Sequence, residues 1–165
     1  MIKRCFAVGL LACLLTLSAQ GQKSLESLVS EAGTEWMFGQ WQAQTDSGDT
    51  VSLNFSWDLD KHVIVLHVKA GDMESKGYTV VEPKSEQPKY YSFDTKGEVG
   101  KGSWNQENGE LVLRVESEGP DRGPRKMGFV FTGSASTGLQ VRMHEIESSG
   151  ELSTSPRATF KFKKK

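Results

Sequence analysis

Apolar and polar residues alternate along this chain from residue 38 onward, and few folds are compatible with such a pattern. The alternation is clearest at residues 51–57, where odd positions are apolar and even positions are polar. Successive side chains of a β-strand point to opposite faces, so this period of two predicts a strand with one buried and one solvated face. After a first strand entered at residues 39–41, the pattern predicts strands at residues 62–68, 77–82, 89–94, 98–105, 110–117, 126–132, 139–143 and 158–163.

Short segments rich in turn-forming residues separate the predicted strands. Asn108-Gly109 and residues 95–97 are typical of hairpin turns, whereas residues 118–124 predict a longer loop. About ten strands with almost no long crossover connections favour a barrel over a β-sandwich. The sequence therefore predicts an all-β protein, an antiparallel up-and-down β-barrel of about ten strands.

One helix is predicted ahead of the barrel. Ser24 is a typical N-cap residue, and Gly33 is a typical stop. Between them, Leu25, Leu28 and Val29 have helical spacing. Because so short a helix is marginal in water by itself, we expect it either to cap one end of the barrel or to form a loosely held leader.

Residues 1–21 have the pattern of a secretory signal peptide. Lys3 and Arg4 precede an apolar run at residues 5–17, and the small residues Ala19 and Gly21 predict cleavage before residue 22. The run is too short for a spanning helix, which needs about twenty residues. We expect one domain at residues 22–165, exported to the periplasm or secreted, with a lipoprotein signal ending at Cys13 as the alternative.

Export would leave a chain without thiols and with a negative net charge. The two cysteines both lie inside the predicted signal, so disulfides, cysteine nucleophiles and thiolate metal sites are excluded from the mature chain. The chain has 20 basic and 21 acidic residues; loss of Lys3 and Arg4 leaves 18 against 21, a net charge of −3. This balance disfavours a nucleic-acid partner.

The lengths of the predicted strands and the charge of their polar positions indicate whether the apolar residues point into the barrel or outward toward lipid. Most predicted strands have about five to eight residues, whereas a strand that crosses a membrane needs about nine to eleven. The polar positions are heavily charged, as expected for faces in water. The sequence therefore predicts a barrel whose apolar residues point inward rather than toward lipid.

Three segments carry a family resemblance: residues 38–41 (Phe-Gly-Gln-Trp), 55–60 (Phe-Ser-Trp-Asp-Leu-Asp) and 100–104 (Gly-Lys-Gly-Ser-Trp). Together they resemble the exported, uncharacterised bacterial members of the lipocalin-like, or calycin, barrels. They are also distantly similar to nitrobindin-type barrels, which share an early Gly-x-Trp. The resemblance implies a barrel with a small-molecule cavity.

In calycins the early tryptophan closes one barrel end beneath a basic side chain from the last strand. For this chain, the resemblance implies closure by Gly39 and Trp41, with Arg157 or Lys161 as the basic partner. Nitrobindin-like proteins bind haem through a histidine on a late strand, and His144 is the position that corresponds. The residues next to His144 are charged, unlike those that line a haem pocket. His144 also lies on the opposite strand face from Met143, which predicts that its side chain faces water.

No catalytic or metal site is predicted. His62 and His67 are five residues apart in a predicted strand, an odd separation that places them on opposite faces, so they cannot chelate one ion together. His62 shares the predicted inner face with Leu66, and we expect a partly buried histidine with satisfied hydrogen bonds; a position at the rim of the cavity is the alternative. The sequence has none of the common hydrolase, metalloprotease or phosphate-loop motifs, so we predict no cofactor, although an enzyme stays an alternative.

The sequence therefore predicts a barrel that binds a small molecule in its interior. A ten-stranded barrel is wider than the eight-stranded kind whose interior is nearly filled by side chains, so we expect a cavity for a small hydrophobic or amphipathic molecule. The alternative is a filled core with a surface that binds another protein, since residues 63–66 are apolar on both faces and need a cover such as the helix or a second subunit. Both a monomer and a homodimer are compatible with the sequence. The residues predicted to line the cavity are Trp57, Trp104, Phe129 and Met143.

Overall fold

A computed structural model describes residues 23–165, which form ten strands, one α-helix and a single 3₁₀ turn. Each strand pairs antiparallel with its neighbours in sequence, and β1 pairs with β10, which closes the barrel. The predicted all-β up-and-down barrel is confirmed; the predicted signal peptide lies outside the described residues. The elements are α1 (Leu25–Glu31), the 3₁₀ turn (Glu35–Met37), β1 (Gly39–Gln44), β2 (Thr50–Asp58), β3 (Val63–Ala70), β4 (Met73–Val81), β5 (Pro88–Asp94), β6 (Val99–Glu107), β7 (Glu110–Gly119), β8 (Arg122–Ser134), β9 (Gly138–Glu145) and β10 (Ala158–Lys164).

Two strands begin four residues earlier than the alternation predicts. The loop expected at residues 118–124 is a tight turn at Pro120-Asp121, and β8 already begins at Arg122. Similarly, β4 begins at Met73 instead of residue 77. Both extensions consist mainly of polar or half-exposed residues, which pair through their backbone groups. The apolar alternation therefore marks only the part of each strand that lines the core.

The strand register places one set of apolar side chains inside the barrel. Phe55 lies opposite Leu66 across β2 and β3, and Leu113 lies opposite Phe129 across β7 and β8. Burying a large apolar side chain stabilises the fold by about 1.5–3 kcal/mol, so this set supplies much of the driving force for folding. Its buried members are Met37, Trp41, Ala43, Val51, Leu53, Phe55, Leu66, Tyr90, Leu113, Val115, Phe131, Leu139, Val141 and Phe162.

The connections alternate between two ends of the barrel. At one end, which we call the helix end, lie α1, the start of β1 and the turns after β2, β4, β6 and β8. At the other, which we call the open end, lie the turns after β1, β3, β5 and β7 and the connection from β9 to β10. Because each strand runs between the two ends, residues close to opposite termini of a strand belong to different environments.

The helix α1 has the cap that the sequence predicts. The Ser24 hydroxyl accepts a hydrogen bond from the backbone N–H of Ser27 at 3.1 Å, which satisfies one free donor of the first turn. Leu25 and Val29 are buried against the barrel, and an ion pair joins Lys61 to Glu26 at 2.5 Å. No helix in residues 23–165 is long and apolar enough to span a membrane.

Candidate functional site

Trp41 is buried inside the barrel near the helix end. Its side chain is 0% exposed, and its Nε1 donates a hydrogen bond to the Met37 carbonyl at 2.7 Å. The Trp36 ring is perpendicular to that of Trp41, with ring centroids 6.1 Å apart. Gly39 begins this strand with φ at 116°, a conformation that favours glycine, and a Cβ there would lie 3.1 Å from Cε of Lys164.

The basic residue that covers Trp41 is Lys164, which corrects the expectation of Arg157 or Lys161. Lys164 lies directly opposite Trp41 in the β1–β10 register, and its Nζ is 5.3 Å from the centre of the indole ring. That distance is within the range of a cation–π contact. Lys161 has the parity of the outer face, and Arg157 precedes β10 at the open end, where it donates to Glu145 at 2.7 Å.

Four aromatic side chains form a layer across the middle of the barrel. Trp104 and Phe131 have ring centroids 5.2 Å apart, and Phe55 and Tyr90 flank this pair at 6.1 and 6.3 Å. The Nε1 of Trp104 donates to Oγ1 of the buried Thr79 at 2.9 Å, which fixes the orientation of the indole. Phe55 and Trp104 line a cavity on the helix side of this layer, whereas Tyr90 and Phe131 line one on the open side.

The cavity on the open side, which we call the open cavity, has a volume of about 680 Å³. This lies within the range of small-molecule sites, which is about 300–1,000 Å³. Its wall is predominantly apolar and its rim is charged. The apolar members of the wall are Val51, Leu53, Leu66, Val68, Ala70, Met73, Leu113, Val115, Met127, Phe129, Phe131, Val141, Met143, Phe160 and Phe162.

Tyr90 is a buried polar residue in the floor of the open cavity. Its ring occupies the space that a side chain at Gly77 would need, since a Cβ there would lie 2.1 Å from the Tyr90 hydroxyl. Burial raises the pKa of Tyr90 to about 12, against the opposing effect of a hydrogen bond with Ser92. The phenol is therefore neutral at physiological pH, and it offers a hydrogen-bonding group but no charge.

The cavity on the helix side, which we call the helix-end cavity, has a volume of about 430 Å³. Leu25, Leu28 and Val29 of α1 form one wall, and Ile64 and Leu111 belong to the barrel wall opposite. Its polar members include Thr79, Gln87, Asn105 and Gln106. The helix thus covers this cavity, whereas no corresponding helix among the described residues covers the open cavity.

The structure does not bring the four predicted wall residues together. Phe129 and Met143 lie opposite each other on β8 and β9 and both line the open cavity. Trp104 lines the helix-end cavity, and Trp57 lines neither, because its ring stacks on Phe38 at 4.7 Å between centroids. By strand alternation, all four side chains point into the barrel. They do not all lie at the same position along the barrel axis, however, and Trp57 and Trp104 are therefore separated from the other two. Contact of these residues with a ligand stays a prediction.

Sequence reasoning identified none of the polar residues of the open cavity as lining, among them Tyr90, Lys96 and Arg122. Lys96 and Arg122 lie in or beside turns, where side-chain direction cannot be read from strand parity. Tyr90 could have been found, because the inward set of β5 consists of residues 88, 90, 92 and 94 once its pairing with β4 is known. The sequence alone does not fix that pairing.

The histidines occupy positions outside the cavities. His144 faces outward, as its parity predicts, but it is buried rather than in water, and its Nδ1 lies 2.8 Å from the Ser153 carbonyl oxygen. The connection after β9 folds back over it and packs Leu152 against Gly128. His62 is exposed in the turn before β3 and lines neither cavity, so both the expected partial burial and the alternative position at the cavity rim are wrong. Among residues 23–165, no group of three or more His, Cys, Asp or Glu is placed to hold a metal ion.

The architecture is compatible with a calycin-like fold, since ten antiparallel strands close into a barrel beside one short helix. In comparisons with known proteins, no family model, no curated protein and no solved structure matches this chain.

Proposed function

We propose that this protein is an exported barrel that binds a small hydrophobic or amphipathic molecule in the open cavity. The observation that carries the proposal is the cavity itself, with a volume of about 680 Å³ and a mainly apolar wall. Close-packed protein interiors have few voids larger than a water molecule, whose share of liquid volume is about 30 Å³. A space of this size is therefore more than a packing defect.

The chemistry of the wall supports an apolar ligand body. Val68, Phe129 and Met143 come from different strands and line the same space. An apolar molecule placed there would remove its own surface and that of the wall from water, which is favourable by roughly 25 cal/mol per Å². Methionine adds a flexible surface that can adjust to ligands of different shape.

The open cavity is a better candidate than the helix-end cavity. It is larger, and α1 forms a wall of the smaller one. A ligand entering the helix-end cavity through this wall would have to displace Leu25 and Val29, both of which are buried. Access at the open end requires no comparable loss of buried apolar surface from a helix.

Export is the second part of the proposal, and it rests on the signal-like pattern of residues 1–21. It predicts that the chain expressed with its own N-terminus is recovered outside the cytoplasm with residue 22 as its first residue. Intact mass measurement of the recovered protein tests this directly. Recovery of the uncleaved chain in the cytoplasm would contradict the export proposal and leave the cavity proposal unaffected.

Binding can be tested with N-phenyl-1-naphthylamine, an uncharged probe whose fluorescence rises in apolar surroundings. We expect saturable binding of one probe per chain. Ser75 points into the open cavity, so Ser75→Trp should fill part of it and weaken probe binding by at least about tenfold, or ~1.4 kcal/mol.

Lys76→Trp is the matched control, because this neighbour on β4 is exposed and has the parity of the outer face. It adds the same indole without entering the cavity, and probe affinity should stay unchanged. Absence of saturable binding, or equal effects of the two substitutions, would contradict binding in the open cavity. The two alternatives from the sequence, a protein-interaction module and an enzyme, stay predictions.

A further inference from the structure

The rim of the open cavity is richer in positive than in negative charge. Four of the residues that line the cavity are cationic and two are anionic, an excess of two positive charges, although the chain as a whole has a net charge of −1. All six lie toward the open end, whereas apolar wall residues such as Leu66, Leu113 and Phe131 lie deeper. The cations are Lys96, Arg122, Arg125 and Arg157, and the carboxylates are Asp94 and Glu98.

Two of the four cations already have carboxylate partners. Arg125 forms an ion pair with Glu98, and Arg157 forms one with Glu145 at 2.7 Å. The remaining carboxylate of the lining, Asp94, accepts hydrogen bonds from the backbone N–H groups of residues 96 and 98 at 2.8 and 2.9 Å. Its Oδ1 is thus used within its own turn.

Lys96 and Arg122 are left without a carboxylate within 4.0 Å among residues 23–165. They belong to neighbouring turns that touch, since a Cβ on Gly97 would lie 3.4 Å from Cγ of Pro120. The pair between Arg125 and Glu98 links the same two hairpins. Two unpaired cations are therefore presented from adjoining turns at the rim of one apolar cavity.

The other carboxylates in the turns of this end do not alter that arrangement. The carboxylates in the turns and connections of this end other than Asp94 and Glu98 do not line the cavity: Asp46, Asp49, Asp72, Asp121, Glu147 and Glu151. Asp49 accepts a hydrogen bond from the Ser47 hydroxyl at 2.8 Å. An anion that enters the cavity therefore meets the cations of the lining rather than these outer carboxylates.

The rim of the open cavity is charged and its interior is not, so the two regions suit different parts of a ligand. Below the rim, the polar groups of the lining are neutral, among them Ser92 and the protonated phenol of Tyr90. A charged group taken to that depth would lose its hydration without gaining a partner of opposite charge. A ligand that has both an apolar body and an anionic group would thus place the body inside and the anion at the rim.

We propose that the ligand of the open cavity is an amphiphile with an anionic oxygen headgroup, held at the rim by Arg122 and Lys96. This proposal rests on the proposed function, because it assigns a chemical class to the molecule bound in the same cavity. The guanidinium of Arg122 can give two parallel hydrogen bonds to a carboxylate, sulfate or phosphate, and the ammonium of Lys96 adds a second positive charge.

The test compares two ligands that share a chain and differ in the headgroup, dodecanoate and dodecan-1-ol, both below their aggregation concentrations. Each displaces N-phenyl-1-naphthylamine from the protein, which gives its affinity. Because Arg122→Gln removes charge-assisted hydrogen bonds to the headgroup, it should weaken dodecanoate binding by roughly tenfold or more and leave dodecan-1-ol unaffected. Lys96→Gln should act in the same direction, and added salt should reduce both effects.

Lys76→Gln is the control, since it removes an exposed positive charge of β4 that does not line the cavity. It should leave both affinities unchanged. If the double variant Arg122→Gln/Lys96→Gln binds dodecanoate as the unchanged protein does, or loses dodecan-1-ol equally, the headgroup assignment is wrong while the cavity proposal survives. If the unchanged protein binds no probe, the proposed function fails together with the assignment.

Discussion

The two ends of this barrel are built from different residues. The helix end combines a fully buried Trp41, a lysine above its ring and the apolar face of α1. The open end has the larger cavity and a rim with two cations that lack ion-pair partners among the described residues. Burial of apolar surface stabilises a fold, whereas unfilled space and unpaired charge do not. The helix end thus contributes mainly to stability, whereas the open end contains the larger unfilled space.

The largest effect should come from opening the helix end. Trp41→Ala removes the most completely buried large side chain and leaves the Met37 carbonyl without its indole donor. We expect the free energy of unfolding to fall by roughly 3–5 kcal/mol, measured by urea denaturation. Trp57→Ala is the control, since Trp57 is only partly buried, and it should have a smaller effect. Equal losses would contradict a special role of Trp41.

A second pair of substitutions compares the middle of the barrel with the open cavity. Phe131 is buried in the aromatic layer, whereas Phe129 on the same strand is partly exposed within the open cavity. Phe131→Ala should cost about 3–5 kcal/mol of stability, and Phe129→Ala clearly less, because part of its surface is already unpacked. Thermal or urea unfolding measures both. The comparison between layer and cavity would be wrong if Phe129→Ala were the more destabilising.

A smaller effect is expected at the helix that covers the helix end. Ser24→Ala removes the acceptor for the Ser27 N–H and should destabilise α1 by about 1 kcal/mol. Amide hydrogen exchange in residues 25–31 measures the loss of protection. Ser30→Ala is the control, since Ser30 is exposed within the same helix and makes no side-chain hydrogen bond among those of residues 23–165. Equal exchange in the two variants would contradict the cap.

The smallest effect concerns ion pairs on the outer surface. The hydrogen bond from Arg114 lowers the pKa of Glu107, although partial burial opposes this shift. A lowered pKa means that the pair stabilises the fold above the ordinary value of 4.5, and that this contribution is lost as pH falls through the lower folded value. Glu107→Gln should therefore reduce stability at pH 7 by roughly 0.5 kcal/mol and flatten its decline in acid.

Glu74 provides the matched comparison near the open end. Hydrogen bonds from Lys69 and then His67 lower the pKa of Glu74, so the sign of its pH dependence is the same. Unfolding measured from pH 3 to pH 7 should show a shallower acid branch in Glu74→Gln as well. A steeper decline in either variant would contradict these pairings.

Most of the fold could be predicted from the sequence, but less of the site. The alternation at residues 51–57 predicts β2, and Ser24 predicts the start of α1, because both patterns reflect local geometry. The same alternation predicts that Trp57 and Phe129 point into the barrel, but it does not predict the position of each residue along the barrel axis. This axial position depends on the stagger between neighbouring strands, which is set by the tertiary structure.

Trp41 and His144 also show which features the sequence predicts and which depend on the tertiary structure. The sequence predicts that Trp41 closes one end, but only the pairing of the first strand with the last selects Lys164 as its cover. Parity predicts the outer face for His144, but only the connection that folds back after β9 removes it from water. Contacts between residues far apart in sequence depend on the whole closed sheet.

The sequence by itself thus determined the class of fold, the number of strands and the inward set of apolar residues, because strand periodicity is a local property of the backbone. The tertiary structure decided which of those residues share a cavity, and it placed Lys96 and Arg122 at one rim. The physical reason is that barrel closure and strand stagger bring turns and strand segments together independently of their separation in sequence.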